Sequence, residues 1–173
     1  MLAKQAKTLS NAQVKAVLLH LDNSRNPIRN RLIFLLSIKA GLRAKEIAEL
    51  TWRMVTDAQR EVAQEIRLEN SASKGLSGGV IAMNGELHQS LMEWRRQSWL
   101  LDSRSRVIRT ERSAETNAAV IVNLIRGWYL ELGFEGCSSH SGRRTFITNA
   151  ARKISLVGGS LRDVQALARH SSL

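Results

Sequence analysis

The stretch from Ile28 to Ala40 is apolar on nearly every side of a helix, with Leu32, Ile33, Phe34, Leu35, Leu36 and Ile38 covering all directions. Such a helix is stable in water only when other elements enclose it. The rest of the chain therefore has to supply a shell. Pro27 suits the first turn of this helix, and Gly41 suits the position just past its end. Ser10 followed by Gln13 forms a capping-box pattern. Val14, Val17, Leu18 and Leu21 then repeat at the spacing of an amphipathic helix, the first candidate for the shell.

A short helix is expected from about Arg43 to Leu50. From Trp52 to Asn84 the pattern changes. Val62 to Leu68 partly alternates, and Gly75, Gly78 and Gly79 punctuate the chain before Val80 to Met83. This reads as a small antiparallel sheet with a flexible turn. Leu87, Leu91 and Trp94 restore helical spacing. The polar, Arg-rich segment Asp102 to Arg112 reads as a loop. Ile121, Ile125, Trp128 and Leu132 mark another long helix, with Gly133 after it. Two more helices are expected over His140 to Ile154 and Ser160 to Ala168, separated by Gly158 and Gly159. The predicted fold is one domain over residues 1–173, mainly α with a small antiparallel sheet (α+β).

Two arginines head apolar stripes. Arg43 precedes Ile47 and Leu50, and Arg143 precedes Ile147, Ala150 and Ile154, each on one helix face. A guanidinium cannot shed its charge, so a partly buried one needs an anion or several acceptors. Two of them could fork around one phosphate. The alternative is an internal salt bridge, and Glu46 is placed to pair with Arg43. His140 lies three residues before Arg143 and His170 follows the last helix. Either could donate to the same anion or shuttle a proton, or could be a helix cap or surface residue. Lys74, in the glycine-flanked turn, could reach a DNA groove or protonate a leaving oxygen, or be a solvated surface lysine.

Charge narrows the partner. The chain carries 26 Lys and Arg against 15 Asp and Glu, a net charge of +11. That excess favours an anionic partner, nucleic acid or an anionic membrane surface. No apolar run approaches the roughly 18 residues of a membrane span, and the N-terminus lacks the apolar core of a secretory signal. Nucleic acid is the stronger reading. Arg143, Arg144, Arg152, Lys153, Arg162 and Arg169 concentrate positive charge in one region, where only Asp163 opposes them. Cys137 is the only cysteine, which excludes an internal disulfide and fits a reducing, cytoplasmic setting. The sequence shows no Walker loop and no convincing metal-ligand cluster.

These residues resemble a known family. Ala40-Gly41-Leu42-Arg43-Ala44-Lys45-Glu46-Ile47, followed by Leu50-Thr51-Trp52, is similar to the first arginine box of the tyrosine recombinases, the phage-integrase family. His140-Ser141-Gly142-Arg143-Arg144-Thr145-Phe146 resembles their His-x-x-Arg box. Leu161 to Leu173 resembles the segment that often ends in Gly-His-Ser-Ser, with Arg169 standing where a glycine is usual. Lys74 precedes Ile81-Ala82-Met83-Asn84 at the spacing of the family's hairpin lysine, and Thr8-Leu9-Ser10 resembles the start of the catalytic domain.

The resemblance implies a helical catalytic domain that binds duplex DNA and recombines it at specific sites. Arg43 and Arg143 would clamp the scissile phosphate, and His140 and His170 would complete the cradle. Lys74 would protonate the leaving 5′ oxygen. Glu46 would orient Arg43 or His140. Arg144, Lys153 and Arg169 would contact DNA. A tyrosine would form a 3′-phosphotyrosyl link, with copies assembling on DNA and no metal or cofactor needed. It further implies a nucleophile two to three helical turns beyond His170, so these residues alone would lack it, along with the family's separate N-terminal DNA-clamping domain. Tyr129, the only tyrosine, sits on an apolar helix and reads as structural. The rival reading is a degenerate integrase that holds DNA without cutting it.

Overall fold

The computed structural model describes residues 5–73, 77–97 and 102–169. Seven α-helices occur among them: α1 (Asn11–Asp22), α2 (Pro27–Lys39), α3 (Ala44–Glu49), α4 (Gly85–Arg96), α5 (Ala118–Glu131), α6 (Ser141–Ile154) and α7 (Leu161–Ala168). Strands β1 (Glu65–Leu68) and β2 (Gly79–Ala82) form a two-stranded sheet between α3 and α4. The mainly α fold with one small antiparallel sheet is as the sequence predicts.

Helix α2 is the centre. Leu32, Ile33, Phe34, Leu35 and Leu36 are fully buried, and α1, α3, α4 and α6 all pack against it. Each such side chain contributes about 1.5–3 kcal/mol by leaving water. Val17 and Leu21 of α1 and Leu87, Leu91 and Trp94 of α4 complete the shell. On the other side α3 packs on α5, whose Ile121, Ile125 and Trp128 face inward. The Ser10–Gln13 capping box forms with both of its hydrogen bonds, and Pro27 takes the first turn of α2.

The strands are shorter than the alternation suggests. Ile66 faces Ile81 across the ladder and both are buried, while Arg67 and Val80 point outward. Val62 makes only an isolated bridge to Thr56. Residues 102–112 contain no helix or strand, yet they are strapped down. Val107 and Ile108 are buried, the Val107 N–H donates to Leu50 O at 2.8 Å, and Trp94 Nε1 donates to Val107 O at 2.7 Å. The segment before α1 is pinned too, since Leu9 is buried and its N–H donates to Thr145 Oγ1 at 2.8 Å.

One expectation is corrected. The stripe Arg143, Ile147, Ala150, Ile154 does not enter the core as a unit. The buried residues of α6 are Ser141, Gly142, Arg143 and Thr145, all in its first turns, and Ile147, Ala150 and Ile154 are half-buried. The cause is the crossing of α6 with α2. Gly142 lies so close to Ser37 that an added Cβ would overlap the serine side chain. This close approach drives the head of α6 into the domain, and the tail lifts away toward exposed Leu156 and Val157.

Candidate active site: a buried arginine–glutamate cluster

The site begins with the turn after α2. Gly41 adopts φ +64°, a left-handed conformation that disfavours residues with a Cβ. A Cβ at Gly41 would also stand 2.5 Å from Phe146 Cδ1. The turn closes with Leu42 N–H donating to Leu36 O at 3.1 Å. It delivers Arg43, in extended conformation, to the N-cap of α3, and Glu46 to the third position of that helix. Glu46 Oε2 accepts the Arg43 backbone N–H at 2.8 Å. This is half of a capping box, because an arginine side chain has no acceptor to return the bond.

Glu46 is fully buried and anchors two guanidinium groups. Its Oε1 accepts Arg43 Nη1 at 2.9 Å, and its Oε2 accepts Arg169 Nη2 at 2.8 Å. The side chain of Arg43 remains 25% exposed, whereas that of Arg169 is only 5% exposed. Burial alone would push the Glu46 carboxyl up. The hydrogen bonds from Arg169 and Arg43 and the charge of Arg169 outweigh it and hold the carboxyl below its ordinary range.

Arg143 completes the cluster from α6. Its Nη1 donates to Gly41 O at 2.6 Å and its Nη2 to Ala168 O, so one buried side chain ties the turn after α2 to the end of α7. Burial, then the like charges of Arg43 and Arg169, bring its pKa down to about 10, with Glu46 opposing. It therefore stays protonated at neutral pH. The Coulombic coupling places Arg43, Arg143, Arg169 and Glu46 in one electrostatic unit: three cations and one anion, a local charge of +2. Such a surplus in a poorly solvated position favours a bound anion.

Other candidates are placed as follows. Lys74 and His170 lie outside the described residues. His140 stands at the N-cap position of α6 without a side-chain cap bond, is exposed, and shares a shallow cavity with Ser138, Arg144, Gln5 and Ala6. Glu46 is bonded to Arg43, and no hydrogen bond between Glu46 and His140 occurs among the described residues. Arg144 is exposed and donates to Ala6 O at 2.8 Å, and Lys153 is exposed in the last turn of α6. Arg169, expected at the DNA surface, instead turns inward onto Glu46. It occupies a left-handed conformation (φ 52°) at the end of α7, and its stem lies 3.5 Å from where a Cβ on Gly79 would be. Local sequence shows only that Arg169 takes a glycine-like position, and its partner is 123 residues away.

Tyr129 is 1% exposed and stacks on Phe134 with ring centroids 6.3 Å apart. Its hydroxyl has no hydrogen-bond partner among the described residues, and burial holds its pKa above the usual phenol range. Both features suit a structural ring. Among the described residues no helix is long and apolar enough to cross a membrane, and no group of three or more His, Cys, Asp or Glu side chains is arranged to hold a metal.

Residues 7–173 match the Phage integrase family. The fold is similar to that of the XerA recombinase, with TM-score 0.73 and 21% identity, over 96% of this chain and 55% of that one. It is similar to the Tn1549 transposon integrase in complex with circular intermediate DNA, with TM-score 0.73 and 16% identity, over 100% of this chain and 59% of that one. A lambda integrase dimer bound to a COC′ core site gives TM-score 0.72 and 18% identity, over 98% and 47% of the two chains. This chain thus spans about half to three-fifths of the length of these proteins. No curated protein sequence matches.

Proposed function

Because this chain belongs to the phage integrase family, we propose that its arginine cluster cradles the phosphate at which duplex DNA is cut and rejoined in site-specific recombination. The observation that carries this reading is the +2 cluster of Arg43, Arg143 and Arg169 around Glu46, with Arg43 the member that reaches solvent. A phosphate entering beside Arg43 meets donors already held in place. Glu46 fixes one edge of Arg43, and Gly41 O and Ala168 O fix Arg143. Charge that builds on the non-bridging oxygens in the transition state is then stabilised without reorganising the site. Arg169 takes part from behind, as a buried third cation that also anchors Glu46.

In this reading a tyrosyl oxygen forms the new bond to phosphorus and the bond to the 5′ oxygen breaks. Lys74 gives that oxygen its proton, and His140 and His170 donate to the phosphate. The 3′-phosphotyrosyl link keeps the energy of the broken ester, so a 5′ hydroxyl can reverse the step. Strand exchange joins ends held by different copies, so the reading includes self-association on DNA. Tyr129 takes no part, because its hydroxyl is sealed in the core. The 173 residues by themselves then grip phosphate without cleaving it, which is also what a non-cutting DNA-binding module derived from an integrase would do.

The test is duplex binding over a salt series. Affinity should fall linearly on a log–log plot as counterions are released. Arg43→Ala should weaken binding by about tenfold to a hundredfold, since a hydrogen bond to a charged group contributes about 1.5–3 kcal/mol. No binding at low salt, or an Arg43→Ala variant that binds as well as the parent, would overturn the proposal.

A further inference from the structure

The bond to Glu46 accounts for only part of the Arg169 side chain. Its Nη2 donates to Glu46 Oε2 at 2.8 Å, yet its Nε and Nη1 have no hydrogen-bond partner among the described residues. Both atoms are sealed from solvent, in a side chain only 5% exposed. A buried donor left unmet opposes folding, and more strongly on a charged group. The backbone opposes it too. Arg169 sits at φ 52°, a region that glycine enters freely and residues with a Cβ enter rarely. Glycine would relieve both penalties. What the arginine adds is a set of free donors inside a cationic cluster.

The acceptors around it are already engaged. Glu46 Oε2 accepts two bonds, from the Arg43 backbone N–H and from Arg169 Nη2. Glu46 Oε1 accepts from Arg43 Nη1, and the carbonyl oxygens of Gly41 and Ala168 accept from Arg143. On β2, Gly79 lies against the Arg169 stem and has no side chain to offer. A buried water could bring an oxygen, but it would leave the local charge of +2 uncompensated. An oxyanion brings acceptors and charge together, and phosphate matches the arginine fork.

From these observations we infer that Arg169 contacts the phosphodiester that enters beside Arg43, donating Nη1 or Nε to a non-bridging oxygen while Nη2 stays on Glu46. Arg43 and Arg169 bond the same carboxylate, so their guanidinium groups are neighbours. A small pivot of Arg169 about its Glu46 bond brings a free donor to an anion held by Arg43. The inference rests on the function proposed above and extends it by one residue. Arg169 touches the reacting phosphate, beyond adding charge behind it. Its donors lost their water when the chain folded, so a phosphate oxygen meets them with no further desolvation on the protein side.

The test uses the full chain and two probes, inorganic phosphate and duplex DNA. Phosphate affinity is read from the rise of the thermal midpoint with phosphate at constant ionic strength. DNA affinity is read from titration at fixed salt. Arg169→Lys keeps the charge and a donor for Glu46 but lacks the planar fork. It should weaken both affinities by about tenfold, the factor carried by one hydrogen bond to a charged group. Arg169→Gly is the second variant, because glycine accepts the backbone of this position, and it should weaken both at least as much. The Arg43 Nε–H signal, followed by NMR without phosphate, reports on the Glu46 anchor and should coincide in Arg169→Lys and the parent. Parent-like affinities in either variant overturn the inference, as does a parent midpoint that ignores phosphate. A displaced Arg43 signal in Arg169→Lys also overturns it, since Arg169 would then act through Glu46 alone. The two readings fail separately. If Arg43→Ala weakens DNA binding and the Arg169 variants do not, the proposed function stands and the Arg169 contact falls. If Arg43→Ala binds DNA like the parent while the Arg169 variants bind phosphate weakly, the function falls and the Arg169 contact stands.

Discussion

Replacing Glu46 by Gln removes one negative charge and little else. The carboxylate is fully buried and bonded to Arg43 at 2.9 Å and Arg169 at 2.8 Å. The Arg43 contact is partly exposed and counts for less, since solvent screens it. The Arg169 contact is buried, and breaking a buried pair costs about 3–5 kcal/mol because a charge is left uncompensated. We expect a loss near the lower figure, about 3 kcal/mol, from a total stability on the order of 5–15 kcal/mol. The variant should still fold, with its midpoint lowered by roughly 6–12 °C for a chain of this size. Urea unfolding should show a lower midpoint at unchanged slope.

The pH dependence follows from the depressed Glu46 carboxyl. Its stabilisation is fully present above the unfolded carboxylate value, about 4.3, and is lost as pH falls through the lower folded value. The gap between parent and Glu46→Gln should therefore be full at neutral pH and close in acid. Inorganic phosphate should stabilise the variant more than the parent, since an anion can take the place of the lost charge. A loss under about 1 kcal/mol at neutral pH, smaller than even a single charged hydrogen bond, would refute the reasoning. So would a gap that persists unchanged in acid.

Three further outcomes are expected. Gly142→Ala should destabilise the domain by about 1–3 kcal/mol in urea unfolding, because the new methyl meets Ser37 and must push α6 off α2. Thr145→Val should cost about 1–3 kcal/mol, since Thr145 Oγ1 accepts from the Leu9 N–H and that buried donor would lose its partner. Tyr129→Phe should leave stability within about 1 kcal/mol of the parent, as its hydroxyl has no partner among the described residues, and should leave DNA binding unchanged. A DNA adduct that forms with the parent chain and disappears in Tyr129→Phe on denaturing electrophoresis would contradict its structural role.

Features whose causes lie within a few residues are legible along the chain. The all-round apolar run of α2 demands a shell, Ser10 and Gln13 cap α1, Pro27 starts α2, and Gly41 takes the left-handed turn that ends it. The Arg43–Glu46 pair, three residues apart, was legible for the same reason. Tertiary structure decided what depends on partners far along the chain. Arg169 finds Glu46 across 123 residues, Arg143 finds Gly41 across 102, and helical spacing carries no record of either choice. The first turns of α6, rather than its whole stripe, are buried because one glycine lets two backbones meet. In sequence the Arg-rich segment reads only as a loop; burial of Val107 and Ile108 pins it, and its arginines then face Arg29 across a cavity. Local sequence sets which conformations a segment can adopt. Packing sets which charge stands beside which, because burial removes the water that would otherwise satisfy each one alone.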